Sequence, residues 1–209
     1  MILEEAIAKY AGQPIPRQVI LSLLKEYNRP NDKIHQLIAS NVLIPLRRGL
    51  YIFNTDSYPE KMLIANHLMG PSYVSMDYAL SYYGLIPEKV YTLSSMTVKG
   101  SKVFETPIGR FSFTHLPLPY YSYGMVQQQI DNSNVALMAS QEKALCDLIL
   151  ATSDVVLRSV KGTFTYLFDD LRLDEQRLKE LHIETIRSWL LKAPKRNSLQ
   201  ILIKTLEQL

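Results

Sequence analysis

Three constellations in the chain have residue types and spacings that could do chemistry. Ser140-Gln141-Glu142-Lys143 has the S-x-x-K spacing of acyl-transferring serines. A serine opening an apolar helical pattern is far more often an N-cap, and the companion S-D-N and K-T-G motifs are missing. Glu142 and Asp147 can be read as paired nuclease carboxylates. Ala144, Leu145, Leu148 and Ile149, interleaved with them, instead suggest an ordinary amphipathic helix. The four histidines, His35, His67, His115 and His182, each fall in a different expected element, without the i, i+4 pairing of a helical metal site. Cys146 is the only cysteine, which excludes a cysteine-based zinc cluster and any internal disulfide. The eight glycines are dispersed, and none builds a phosphate loop. The expectation is a protein that is not an enzyme, with no metal and no cofactor.

The stronger signal is a basic one. In "LIPLRRGLYIF", residues 43–53, Arg47 and Arg48 sit at the point where two apolar runs reverse direction. Gly49 supplies the positive φ that a tight hairpin needs. Seven of the 23 bases but only four of the 20 acids fall in residues 1–50, so the whole net charge of +3 is N-terminal.

The elements that must position these arginines can be read from periodicity. Ile2, Leu3, Ala6 and Ile7 suggest a first helix over residues 2–10, ended near Gly12. After Pro14 and Pro16, the residues Val19, Ile20, Leu23 and Leu24 suggest a second, reaching Tyr27. A third follows Asn28-Arg29-Pro30-Asn31, with Arg29 or Asn31 as cap, and buries Ile34, Leu37 and Ile38 up to Ser40. Three helices and a hairpin in this order predict a winged helix-turn-helix. At 100° per residue, Arg29, Asp32, Lys33, Gln36 and Ser40 share one polar stripe, opposite Ile34 and Ile38. The expected DNA contacts are therefore Arg29, Asn31, Lys33, Gln36 and Ser40 on the helix, with Arg47 and Arg48 on the wing.

Composition loosens around Asn54-Thr55-Asp56-Ser57, which places a boundary between a DNA-binding domain, 1–56, and a mixed α/β domain with a helical C-terminus, 57–209. The fold class is α+β. Within the second domain, helices are expected over 58–69, 75–83 and 140–151. Strands are expected over 91–98, 102–105, 110–116 and 135–138, and helices again over 170–209 with a break near Pro194. Thirteen tyrosines are unusual for this length. Tyr78, Tyr82, Tyr83, Tyr120 and Tyr121 are candidates for a partner surface, against the alternative of core and rim packing. No run approaches a membrane span, and the acidic start, Met1-Ile2-Leu3-Glu4-Glu5, is unlike a signal peptide, so a cytoplasmic location is expected. A monomer binding repeats and a preformed dimer look alike at this level.

Four stretches carry a resemblance: "RRGLYIF" (47–53), "LIANHLMGPSYVSMDYALSYYGLIPE" (63–88), "TPIGRFSF" (106–113) and "ASQEKALCDLI" (139–149). Together they resemble the AbiEi-type antitoxins, regulators of type IV toxin–antitoxin and phage-resistance modules, over roughly residues 14–150. The resemblance implies a winged-helix domain that represses its own operon at repeated promoter sites on duplex DNA. It also implies a C-terminal domain that counteracts a nucleotidyltransferase-type toxin, classically without a stable complex, and no enzymatic activity. On it, Arg47 and Arg48 match the basic wing, and Lys33 and Gln36 fall on the recognition helix. The alternatives are a stand-alone regulator whose tyrosine-rich domain binds a ligand or protein, and a nuclease using Glu142 and Asp147.

Overall fold

The computed structural model of the chain describes residues 3–209. Ile2, expected in the first helix, lies outside them. The N-terminal unit runs α1 (Leu3–Ala8), β1 (Ile15–Pro16), α2 (Arg17–Leu23), α3 (Pro30–Ala39), β2 (Leu43–Arg47) and β3 (Leu50–Phe53). Its sheet has the order β1-β3-β2, antiparallel throughout. Pro30 occupies the first turn of α3, where its missing N–H costs nothing, and Arg29 stands at the cap position. Gly49 makes the hairpin turn at φ +81°. The second helix is shorter than expected, ending at Leu23 rather than near Tyr27.

Successive residues of a strand point to opposite faces, and here both faces are buried. Leu43 and Tyr51 pack with Ile7, Ile20, Ile34 and Leu37 of the three helices and with Leu24, which caps α2. Ile44, Leu46, Leu50 and Ile52 belong instead to the large core of the following 150 residues. The hairpin is thus a shared wall, which explains why "LIPL" and "LYIF" read as unbroken apolar runs.

Beyond the hairpin lie α4 (Lys61–Leu68), β4 (Ser72–Val74), α5 (Met76–Tyr82), β5 (Leu93–Thr97), β6 (Lys102–Thr106), β7 (Gly109–His115), β8 (Met125–Gln129), β9 (Val135–Ala139) and α6 (Gln141–Ala151). Four helices complete the chain: α7 (Val160–Thr165), α8 (Glu175–Lys179), α9 (Ile183–Trp189) and α10 (Arg196–Leu206). The strands form one mixed sheet in the order β6-β7-β5-β4-β9-β8. The whole chain is therefore a mixed α+β fold. Strand β4 is too short to pair with all of β9, meeting it only at Val74 and Met138. Asn66 of α4 fills the gap: its side-chain oxygen accepts from Leu137 N at 2.6 Å and its amide donates to Leu137 O at 3.3 Å. One carboxamide thus stands in for a missing strand residue. Strands β1, β4 and β8 were not anticipated.

Helix α6 differs from the amphipathic element expected. Every residue from Glu142 to Leu150 is buried, so it is a central helix packed on all sides.

Candidate functional site

Two places gather polar side chains. The first lies between α3 and the hairpin. The backbone N–H of Arg17 donates to Gly49 O at 3.0 Å, which sets the start of α2 against the Arg48–Gly49 turn. The Arg17 guanidinium then donates to Asn31 Oδ1 at 2.6 Å, tying α2 to the first turn of α3. The result is an open groove of about 760 Å³ whose polar walls are Arg17, Asn31, His35, Arg47, Arg48 and His67, with Gln18 beside them and no acidic side chain. Ile34, Leu50 and Tyr51 contribute its apolar parts.

The two hairpin arginines differ in freedom. Arg47 Nε donates to Leu68 O at 2.8 Å and its Nη2 to His67 O at 3.4 Å, so its guanidinium caps the C-terminal end of α4. A third bond runs to Arg48 O at 3.0 Å. Arg47 is therefore a strut between the two halves of the chain and not the free wing residue the sequence suggested. Arg48, one position on, is exposed, and among the described residues its side chain has no partner. His67 Nδ1 lies 2.9 Å from Leu63 O, a group that can only accept. A hydrogen bond there requires the proton on Nδ1.

The polar stripe expected on α3 lies elsewhere. Arg29 and Asp32 pair with each other at 3.7 Å on an exposed surface. Lys33 stands over the Tyr27 ring at 5.9 Å. Gln36 and Ser40 are exposed beside them, and none of the five lines the groove. Of the helix residues anticipated, only Asn31 does. His35, one turn from Asn31 and about 100° around the helix from Gln36, lines the groove in place of the stripe residues. Arg17, one of the seven N-terminal bases, lines it too, with no motif around it to mark the role. His67 carried no local signal, because it arrives from the far side of the hairpin.

The second gathering is buried. Lys143 Nζ lies 2.9 Å from Asp147 Oδ1, and both side chains are wholly inaccessible. Tyr73 OH and Ser75 OH donate to Asp147 Oδ2 at 2.9 and 2.7 Å. Lys143 also donates to Tyr120 O at 3.1 Å and sits over the Tyr120 ring at 3.5 Å. Burial pushes the lysine's pKa down and the aspartate's up, while their mutual attraction opposes both shifts. Nothing can reach this cluster, so it organises the core. Ser140 caps α6 by accepting from Lys143 N at 3.2 Å. Glu142 accepts from Ser140 Oγ and from His182 N, at 2.8 and 3.1 Å. Glu142 and Asp147 thus serve different partners and form no carboxylate pair. Among the described residues, no three His, Cys, Asp or Glu side chains gather as metal ligands would. Among them, too, no helix is long and apolar enough to cross a membrane.

The tyrosines divide. Tyr120 and Tyr121 are 0% and 6% exposed, so they line the core and offer nothing to a partner. The Tyr73 and Tyr121 rings pack against each other at a tilt of 48°, with centroids 5.0 Å apart. Tyr83 is half-buried and donates to Ala139 O at 2.9 Å. Tyr78 is half-buried, and Tyr82 alone of the five candidates is exposed.

No protein-family model matches the chain, and no curated protein matches it. Among solved structures, it is similar to the crystal structure of the RV2827C protein from Mycobacterium tuberculosis, with a TM-score of 0.54 and 11% identity. The likeness covers 97% of this chain and 80% of that one, and at such identity it establishes the fold alone.

Proposed function

We propose that this chain is a DNA-binding regulator that seats duplex DNA in the groove between α3 and the hairpin. The groove is the observation that carries the reading: arginines and histidines converge in one opening with no acidic side chain among them. The order of three helices and a three-stranded sheet in residues 3–53 supports a winged helix-turn-helix. Arg17 and Arg48 contact phosphates and supply salt-dependent affinity, while Asn31, His35 and Gln18 reach towards base edges. Gln36, exposed on the adjoining face of α3, is the next residue outward.

The resemblance of residues 47–53, 63–88, 106–113 and 139–149 to AbiEi-type antitoxins extends the reading to an autorepressor that opposes a nucleotidyltransferase toxin. The two halves are tested separately. Fluorescence anisotropy with the duplex upstream of its own gene should show binding that Arg48→Glu reduces at least about tenfold, one phosphate contact having become a repulsion. Equal affinity of the variant would refute the groove. Co-expression with a neighbouring nucleotidyltransferase should restore growth, and failure to rescue would refute the antitoxin half while leaving DNA binding intact.

A further inference from the structure

The six-stranded sheet has two edges, and they are built differently. Strand β6 carries Lys102 and Glu105, and Glu105 pairs with Arg110 across the hairpin at 3.2 Å. Charges of this kind discourage strand addition. Strand β8, Met125-Val126-Gln127-Gln128-Gln129, carries no charge, no proline and no bulge. Its hydrogen-bond phase is fixed at both ends. Ser140 N donates to Gly124 O at 2.8 Å and Ile130 N donates to Asn134 O at 3.0 Å. Bonded pairs alternate in an antiparallel ladder, so Val126 and Gln128 face β9 while the backbone groups of Met125, Gln127 and Gln129 face outward. Among the described residues, the only bond to those groups is a 3.4 Å contact from Gln128 Nε2 to Gln129 O. Val126, Val135 and Leu137 stand exposed on the same two strands, at 37, 41 and 39%.

We infer that β8 is the pairing edge for a second copy of this chain, joined antiparallel about a two-fold axis through Gln127. The register follows from symmetry. With Gln127 opposite itself, Met125 meets Gln129 of the other copy, and Gln129 meets Met125. Those are the three outward-facing residues, and each pair exchanges two backbone bonds. On the opposite face Val126 lies diagonal to its own counterpart, within side-chain reach. An uncharged strand suits such an axis, because any charge at its centre would meet itself. A foreign strand has no such requirement for symmetry, which is why a second copy is the occupant favoured. The pairing closes after two chains, as an isologous contact must, and needs no nucleic acid.

Sedimentation equilibrium of the full chain tests this. The unmodified protein should be a dimer. Gln127→Lys places like charges on the axis, and Gln127→Pro removes an outward N–H without touching the β8–β9 ladder. Each should raise the dimer dissociation constant at least about tenfold, with circular dichroism unchanged. Gln127→Cys supplies an independent readout: directly opposed α-carbons at about 5.5 Å are within disulfide reach, so mild oxidation should cross-link it, whereas Lys102→Cys on the other edge should still dimerise but form no cross-link. A monomer at all concentrations, a dimer indifferent to both Gln127 changes, or a Gln127→Cys protein that does not cross-link would overturn the inference.

Discussion

Arg47 Nε lies 2.8 Å from the carbonyl oxygen of Leu68, so a side chain at the hairpin tip closes the end of a helix from the other half of the molecule. This bond, with that to His67 O, ties the groove's β wall to α4. Arg47→Ala should lower the free energy of unfolding by about 1–2 kcal/mol, from lost charge-assisted bonds to helix-terminal carbonyls. Urea denaturation measures it. Arg47→Lys should recover only part of the loss, since one ammonium cannot reach two carbonyls with the fork of a guanidinium. Full stability in the alanine variant would contradict the strut.

The buried pair is a second point of strain if broken. Asp147→Ala leaves the Lys143 ammonium and the hydroxyls of Tyr73 and Ser75 without their acceptor in a region no water reaches. The expected cost is about 3–5 kcal/mol, read by chemical denaturation. A loss below about 1 kcal/mol would mean that Lys143 finds another acceptor.

Gly124 sits at φ +60°, and a Cβ there would lie 2.7 Å from Trp189 Cη2 and 2.8 Å from Lys143 Cβ. Neither neighbour can withdraw, the indole being packed between Tyr120 and Tyr123. Gly124→Ala combines backbone strain with overpacking and should destabilise by about 2–4 kcal/mol. A thermal shift below about 3 °C for this 209-residue chain would show that the Trp189 ring can move.

Burial pushes the Cys146 thiol up to about 12, with the Asp147 carboxylate adding to the shift. Thiolate is the reactive form, so at pH 8 a thiol reagent should modify the native protein only as fast as it opens. Stopped-flow labelling should therefore slow in step with added stability. Rapid labelling without denaturant would place Cys146 at the surface.

Much of this architecture was legible in the sequence because it rests on local patterns. The three N-terminal helices, the Gly49 turn and the β6–β7 hairpin each carry their periodicity and turn residues within a few positions. Strand β8 was illegible for the converse reason: three consecutive glutamines have neither strand propensity nor alternation, and only β9 makes them a strand. Strand β4 is three residues long and borrows Asn66 for its missing pairing. At the site, the Arg48–Gly49 turn was readable, but which face of α3 joins it was not. Apolar spacing locates the buried side of a helix without saying where along the remaining arc a groove will open. The opposite fates of Arg47 and Arg48 depend on α4, twenty residues away, and no local pattern marks them. Tyr120 and Tyr121 show the same limit, since aromatic clustering does not distinguish a core from a surface.

The proposal that the groove binds phosphate is tested most directly by the salt dependence of duplex binding. Plotting the logarithm of affinity against that of salt concentration, the Arg17→Ala, Arg48→Ala double variant should lose about 2 from the magnitude of the slope. Arg47→Ala, whose guanidinium is already committed to α4, should lose less than about 1. An unchanged slope in the double variant would contradict DNA binding in this groove.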